Sequence, residues 1–258
     1  MYGTGVLRAA GRGPVALSVR TILLDIEGTT TPVDFVYRTL FPYARAHLVA
    51  FVEQHITTAE VQADIARLRA EHQTELGQQP SLPPWRAGSL SDTITSVVAF
   101  VLWLMDGDRK STGLKSLQGR IWEAGYRTGE LSGQVYDDVP PALHRWRRQG
   151  RDICIFSSGS LQAQQLLFSH SNAGDLTAAI RGYFDTTTGP KKEAQSYRCI
   201  AAALEQAPAQ LLFVSDVVAE LDAAKEAGMS TALCIRGQGA PADRGAHPVV
   251  HSFDEVFP

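Results

Sequence analysis

Four short apolar runs constrain the fold of this chain more than any other feature of its sequence. They are residues 21–26 (TILLDI), 152–158 (DICIFSS), 210–216 (QLLFVSD) and 231–236 (TALCIR). Each is rich in Ile, Leu, Val or Phe without strict alternation, which is typical of strands that are covered on both faces. Between the last three runs, the segments 191–206 and 217–228 have the residue pattern of helices. This alternation predicts an α/β core, a Rossmann-like parallel sheet with helices on both faces.

A long helical block separates the first of these runs from the second. Between about 37 and 130, apolar residues recur at helical spacing, and no convincing strand pattern occurs. Such a block is too long for an ordinary connection between strands, so it predicts an inserted all-helical cap domain. The expected domains are a flexible N-terminal extension at 1–18, an α/β core at 19–36 and 131–258, and a helical cap at 37–130.

The composition argues against several functional classes. The 258 residues carry a formal charge of −3, which gives no indication of nucleic acid or an anionic membrane surface as a partner. No apolar run approaches the ~20 residues of a membrane-spanning helix. The three cysteines lack paired spacing and fit reduced, buried thiols. We therefore expect a cytoplasmic protein without nucleic-acid or membrane partners. The expected state is a monomer, although no sequence pattern decides it.

Polar side chains follow three of the predicted strands where each strand ends. Asp25 and Glu27 follow the first, the segment 157–160 (SSGS) ends the second, and Asp216 ends the third. Ligand sites of open parallel sheets lie outside the carboxyl ends of the strands, so these groups are expected to converge. Lys191, at the start of a predicted helix, can join them.

This inventory of side chains indicates phosphoryl transfer. Carboxylates can hold Mg²⁺, which takes one or two of them and leaves positions for water and phosphate. Serine hydroxyls and the backbone N–H groups near a glycine bind phosphate oxygens, and a lysine neutralises their charge. A carboxylate can also attack phosphorus and form an aspartyl-phosphate. The chain has no GxxxxGK[ST] motif, which argues against P-loop nucleotide hydrolysis.

Four segments resemble, in order, the motifs of the haloacid-dehalogenase superfamily. They are DIEGTTTP, the strand end SSGS, GPKKE and FVSDVVAE. The longer stretches LLDIEGTTTPVDFV, FSSGSLQAQQLLFSHSNAGDL and YFDTTTGPKKEAQSY are similar to the enolase-phosphatases of methionine salvage. The similarity spans roughly residues 20 to 257. It implies the superfamily's α/β core and a helical cap.

The resemblance also implies roles for the acidic residues. Asp25 would be the nucleophile and a ligand of one Mg²⁺ ion per subunit. Glu27 would be the acid/base residue, with its backbone carbonyl directed at the metal. Asp216 would complete the metal site, helped through water by Glu220, four residues further on and expected on the same helix face. Most superfamily members have D-x-D where this chain has D-x-E, so the loop after Glu27 must differ from theirs.

Three further residues would bind the substrate. Ser157 and Ser158 would hold the phosphate and adjoining oxygens. Lys191 would neutralise the phosphoryl group and restrain the nucleophile. We assign this role to Lys191 rather than to the adjacent Lys192 because of its position directly after Gly189 and Pro190.

The resemblance implies a specific reaction and leaves alternatives open. An enolase-phosphatase enolises 2,3-diketo-5-methylthiopentyl 1-phosphate and then dephosphorylates it, giving the acireductone 1,2-dihydroxy-3-keto-5-methylthiopentene. The base of the enolisation step is Glu27 or a residue of the cap. One alternative is a sugar-phosphate or general phosphomonoesterase of the same superfamily, because the motifs do not choose the substrate. Another is a non-catalytic protein that binds phosphate compounds.

Overall fold

A six-stranded parallel sheet is the frame of the structure, a computed structural model that describes residues 19–86, 88–237 and 245–258. The strands are β1 (Thr21–Leu24), β2 (Asp152–Phe156), β3 (Gly182–Phe184), β4 (Leu211–Ser215), β5 (Ser230–Cys234) and β6 (Val249–Val250). Their order is β3-β2-β1-β4-β5-β6, and all neighbouring pairs are parallel. The predicted α/β class is therefore confirmed. The predicted N-terminal extension at 1–18 lies outside the described residues.

The four predicted strands are all present, but each ends earlier than the apolar pattern indicates. β1 stops at Leu24, because the N–H groups of Thr29, Thr30 and Thr31 all donate to the carbonyl of Ile26 and turn the chain out of the sheet. The sequence pattern does not predict β3 and β6, since runs of three and two residues are too short to show a period. The polar residues at the strand ends thus leave the sheet at its carboxyl edge.

The chain divides into two compact units. One contains the residues up to Val36 together with Ser132–Pro258, and the other is Tyr37–Leu131. The helices of the first unit are Val139–Arg148, Leu161–Ser169, Ala194–Ala203 and Val218–Glu226, with short turns at Val33–Phe35, Thr177–Ala179, Pro208–Gln210 and Phe253–Glu255. The sequence predicts the second unit as an insertion at 37–130, and its function as a cap stays a prediction.

Both faces of the sheet are covered. On one face, Leu23 and Phe213 pack with Tyr197 and Leu221, which lie on the helices Ala194–Ala203 and Val218–Glu226. Ile22 points to the opposite face and is also fully buried. Fully buried strands of this kind give the sheet a rigid central axis, and β1 lies on it between β2 and β4.

The unit Tyr37–Leu131 is helical in its described residues. A π-helical turn, Val36–Leu40, leads into it, and its helices are Phe41–His55, Ala59–Glu75, Leu90–Asp106 and Thr112–Thr128. Thr58, Ser89 and Ser111 cap three of these helices by accepting backbone N–H bonds, as their side chains favour. Gly129 ends the last helix in the left-handed conformation.

The cysteines only partly match the expectation of buried thiols. Cys154 and Cys234 are buried in β2 and β5, whereas Cys199 is half-buried on its helix, and all three are free. Burial raises the pKa of both strand thiols to about 12, so they stay protonated near neutral pH. In the described part of the chain, no helix combines the length and the apolar character needed to cross a membrane.

Candidate active site

The site lies where the direction of chain progression across the sheet reverses. The strand order places β1 between β2 and β4, so the chain moves outward on both sides of β1. This reversal is the point where open α/β sheets bind ligands. Asp25, Ser157 and Asp216 follow these three strands directly, and the parallel register brings their carboxyl ends to one edge.

Asp25 is the most restrained side chain of the site. Its side chain is buried, and Oδ1 accepts hydrogen bonds from Lys191 Nζ at 2.6 Å and from Ile26 N at 2.8 Å. Oδ2 accepts from Ser215 Oγ at 2.8 Å. Three donors to its two oxygens hold this buried carboxylate in one orientation. A nucleophile requires such a fixed orientation toward the atom that it attacks.

Lys191 bridges two carboxylates. Its Nζ lies 2.6 Å from Asp25 Oδ1 and 2.7 Å from Glu220 Oε2. Burial alone would lower the pKa of Lys191, but the charges of Asp25 and Glu220 outweigh it and raise that pKa, so the ammonium stays charged. The Tyr197 hydroxyl fixes the backbone of this lysine by donating to Lys191 O at 2.7 Å. The adjacent Lys192 is exposed.

Glu27 lies on the turn after β1, and its side chain reaches the loop of residues 157–160, called the serine loop below. Ser157 Oγ donates to Glu27 Oε2 at 3.3 Å. Burial raises the pKa of Glu27, and the nearby charge of Asp25 raises it further. A carboxyl group whose protonated form is favoured in this way can act as a general acid.

The serine loop is shaped by a residue that the sequence analysis does not identify. Gly159 N donates to Ser157 Oγ at 3.1 Å, while Ser158 is exposed on the same loop. Gln164, almost fully buried, donates from Nε2 to Gly159 O at 2.8 Å and to Phe184 O at 2.9 Å. The sequence sign of this contact is a glutamine in the first turn of the helix that follows the loop. Ser160 caps that helix by accepting a hydrogen bond from Ala163 N.

Asp216 occupies space that only glycine at position 28 leaves free. Gly28 has φ +70°, and a Cβ there would overlap Asp216 Oδ2 and lie 2.6 Å from its Cγ. Burial raises the pKa of Asp216 to about 6, with a further contribution from the charge of Asp25. Gly28 therefore serves both the left-handed turn and the position of this carboxylate.

Glu220 differs from its predicted position. The helix begins at Val218, so Asp216 precedes it, and the two acids do not share a helix face. Glu220 instead contacts Lys191, and Ser215 Oγ lies 3.3 Å from its Oε2. Burial raises the pKa of Glu220 to about 7, with the charge of Asp25 as the second cause. Ser215 itself is not identified from sequence, although a hydroxyl at the end of an apolar run is a recognisable signal.

The donor set fits a magnesium ion of the kind that keeps several water ligands. Four carboxyl groups (Asp25, Glu27, Asp216 and Glu220) share one nearby ammonium, and burial with mutual repulsion raises the pKa of the last three. A divalent cation would relieve this excess of negative charge. Within the described ranges, no group of three or more His, Cys, Asp or Glu side chains forms a metal cluster. Mg²⁺ needs no such cluster, because it binds through one or two carboxylates.

Sequence comparisons connect this geometry to known proteins. A family model described as haloacid dehalogenase-like hydrolase matches residues 19–228. Enolase-phosphatase E1 of Synechococcus elongatus is 55% identical over 243 residues, which cover 94% of this chain and 100% of that protein. Enolase-phosphatase E1 of Azotobacter vinelandii is 46% identical over 242 residues, covering 94% and 99%. The resemblance inferred from the four motifs is thus confirmed.

Solved structures agree with the observed fold. The UTR4 protein of Saccharomyces cerevisiae has a TM-score of 0.73 and 32% identity, over 92% of this chain and 99% of that one. CbbY from Rhodobacter sphaeroides, solved in complex with phosphate, has a TM-score of 0.56 and 18% identity, over 93% and 96%. The second similarity supports the fold alone.

Proposed function

Because the chain belongs to the haloacid dehalogenase-like hydrolases, and within them to the enolase-phosphatases, we propose that it is a bifunctional, Mg²⁺-dependent enzyme of methionine salvage. It is a phosphoric monoester hydrolase. The proposed substrate is 2,3-diketo-5-methylthiopentyl 1-phosphate, and the products are 1,2-dihydroxy-3-keto-5-methylthiopentene and phosphate. The observation that carries the proposal is the buried Asp25 carboxylate, held by Lys191 on one oxygen and by Ser215 on the other. The cytoplasmic location and the monomeric state stay predictions.

The first half of phosphoryl transfer uses Asp25 and Glu27 as a pair. An Asp25 oxygen forms a bond to phosphorus, and the bond between phosphorus and the substrate's O1 breaks, leaving an aspartyl-phosphate. The departing O1 takes the proton of the Glu27 carboxyl group. The raised pKa of Glu27 keeps that proton available, and Ser157 orients the carboxyl group.

The second half returns both acids to their starting state. The Glu27 carboxylate removes a proton from water, whose oxygen attacks phosphorus and breaks the bond to Asp25. Lys191 neutralises charge on the phosphoryl oxygens, and Ser157 with Ser158 binds the oxygens on the other side of the site. Glu220 keeps the lysine in place between the two carboxylates.

The metal would be held by Asp25, Asp216 and the backbone carbonyl of Glu27. A Mg²⁺ ion held there would supply positive charge to the substrate oxygens that gain negative charge in both steps. Enolisation moves a proton from C1 of the diketone to the oxygen of C2. Its base is Glu27 or a residue of the helical unit, and the experiment below separates this step from phosphate release.

The test is to follow the enol chromophore and phosphate separately after adding the diketo phosphate and Mg²⁺. In the wild type, the enol absorbance should rise before phosphate appears. Asp25→Asn should lower phosphate release on the order of 10⁴-fold, because the nucleophile is gone. Enol absorbance should still rise in this variant, since enolisation needs no bond to Asp25.

A matched control is Asp254→Asn, the same chemical change at an exposed aspartate of the same unit. This variant should behave as the wild type does. Phosphate release without an enol species at any time would leave a simple phosphomonoesterase. Undiminished turnover in Asp25→Asn would refute the covalent mechanism.

A further inference from the structure

The turn that carries Glu27, residues 26–31, is closed on its inner side by its own backbone. The N–H groups of Thr29, Thr30 and Thr31 donate to Ile26 O at 3.2, 2.9 and 2.9 Å, and Gly28 N donates to Thr31 O at 2.8 Å. These bonds leave the carbonyl groups of Thr29 and Thr30 pointing away from the turn. Buried carbonyl groups require donors from elsewhere.

Those donors come from residues that are distant in the sequence. Arg236 donates to Thr29 O from Nε at 3.0 Å and from Nη2 at 2.9 Å, and Tyr136 N donates to Thr30 O at 3.0 Å. The Thr29 hydroxyl is buried and finds no hydrogen-bond partner among the residues that the structure describes. The Thr29 side chain therefore does not anchor the turn, whereas its carbonyl group does.

Arg236 is itself rigid. It follows β5 by two residues, and only 9% of its side chain is exposed. Its Nη1 donates to Asp138 Oδ2 at 2.6 Å, and its guanidinium carbon lies 4.4 and 4.6 Å from the ring centres of Tyr136 and Phe253. An arginine beyond the carboxyl end of a strand is well placed to bind a phosphate ester. Here Nε, Nη1 and Nη2 each donate to the protein, so the guanidinium acts as a support.

We propose that Arg236 is a positioning residue for the reaction, resting on the function proposed above. It fixes the Thr29 carbonyl from the end of β5 and thereby holds Glu27 at its distance from Asp25 and Ser157. Two charge-assisted bonds to one carbonyl group define both a distance and a direction. Lysine cannot reproduce this fork with its single ammonium group.

The experiment compares Arg236→Met with Arg145→Met. Arg145 is a matched control because it also holds backbone carbonyl groups, donating to Phe253 O at 2.7 Å and to Phe257 O at 3.1 Å. Its side chain is 19% exposed, and it makes no hydrogen bond to residues 26–31 among those that the structure shows. Both variants should melt at lower temperature than the wild type. Measurements are made well below both melting temperatures.

Arg236→Met should lower kcat roughly 10- to 100-fold while KM stays within about twofold, because misplacing a catalytic group by 1 Å costs about this much. KM is retained because Ser157, Ser158 and Lys191 lie on other loops. Arg145→Met should leave both constants unchanged. Arg236→Lys keeps the charge facing Asp138 and should have a kcat between those of the wild type and Arg236→Met.

Backbone hydrogen exchange tests the support without any substrate. The amides of Thr29, Thr30 and Thr31 should exchange faster in Arg236→Met than in the wild type, and not in Arg145→Met. Unchanged exchange in Arg236→Met, or equal acceleration in both variants, would overturn the proposal. If the wild type fails to turn over the diketo phosphate, the proposed function fails, while exchange still decides whether Arg236 holds the turn.

Discussion

Each unit of the molecule contains a buried cluster of charge, and the two clusters have opposite balances. In the helical unit, Asp64 is fully buried and has two arginines, Arg67 at 2.8 Å and Arg120 at 2.7 Å. In the α/β unit, several carboxyl groups share Lys191, and those of Glu27 and Asp216 have raised pKa values. The first cluster is satisfied by the protein alone. The second retains negative charge that a cation and a phosphoryl group can balance.

This difference separates a structural cluster from a reactive one. A carboxylate with surplus partners gains nothing from a ligand, so its removal affects stability. Carboxylates held close together with too few positively charged partners lower the stability of the fold. Such groups are found at functional sites, where a bound ligand can balance their charge. Changes at Asp64 should therefore lower stability, whereas changes around Lys191 should lower turnover. Four predictions test this difference.

Of these four predictions, the largest effect is expected from Gly28→Ala. The new methyl group would overlap Asp216 in a turn that already has φ +70°. Turnover should fall about 100-fold, or roughly 2.7 kcal/mol of activation free energy. The Mg²⁺ concentration needed for half-maximal rate should rise. Steady-state kinetics with a Mg²⁺ titration measures both.

Gly129→Ala is the control for Gly28→Ala. Gly129 has φ +78°, and a Cβ there would meet no described atom within 4 Å apart from its own chain neighbours and the adjoining helix backbone. It should lose about 1–2 kcal/mol of stability from the left-handed conformation, with no change in turnover. Equal turnover losses in the two variants would mean that backbone strain, and not the position of Asp216, is responsible.

The next effect is a loss of stability in Asp64→Asn. We expect a loss of about 2 kcal/mol, less than for a fully buried pair, because the side chains of Arg67 and Arg120 are 51% and 28% exposed and water screens them. Urea unfolding gives the value. The same change in the exposed pair of Arg45 and Asp106, Asp106→Asn, should cost less than about 1 kcal/mol. A drop in turnover without a loss of stability in Asp64→Asn would contradict the structural assignment.

The sequence predicts the reactive cluster better than its supports. Asp25 and Asp216 can be found because an apolar run followed by an acid marks the carboxyl end of a buried strand. Lys191 and Ser157 follow from the resemblance and from the same edge of the sheet. Asp25, Ser157 and Asp216 come together because the strands that they follow are parallel neighbours, a property of the backbone that periodicity can indicate. Lys191 instead lies in the loop before the helix Ala194–Ala203.

The residues that hold the site in place, Arg236 and Ser215, were not predictable, because their partners are distant in the sequence. Arg236 and Thr29 are 207 positions apart, and Ser215 and Asp25 are 190 apart. The prediction that Glu220 shares a helix face with Asp216 was wrong, because the helix begins two residues after Asp216. An error of half a turn at a helix start redirects a side chain, and sequence patterns locate such ends poorly.

Glu220→Gln tests the corrected neighbour. If Glu220 acts through Lys191, turnover should fall about 10-fold, as is common when a group that orients a catalytic residue is changed. The Mg²⁺ requirement should not change, because the affected contact is to the lysine. A large increase in the Mg²⁺ requirement would instead restore the water-mediated metal role. Glu226→Gln is a suitable control, as this glutamate lies on the same helix and its side chain is 74% exposed.

The smallest effect is expected from Asp138→Asn, which removes the ion pair between Asp138 and Arg236. Burial alone would raise the pKa of Asp138, but the hydrogen bonds from Arg236 and Phe253 N outweigh it and lower that pKa. A lowered folded-state pKa means that the stabilisation is complete above the unfolded value of about 4 and is lost as the pH falls through the folded value. The wild type should therefore exceed Asp138→Asn in stability by a constant amount, about 1 kcal/mol or less after screening, above about pH 5. Urea midpoints at descending pH should show this difference shrinking below pH 4. A difference that grows on acidification would mean that folding raises the pKa of Asp138. Asp138 would then resemble Glu27 and Asp216, whose carboxyl groups have raised pKa values.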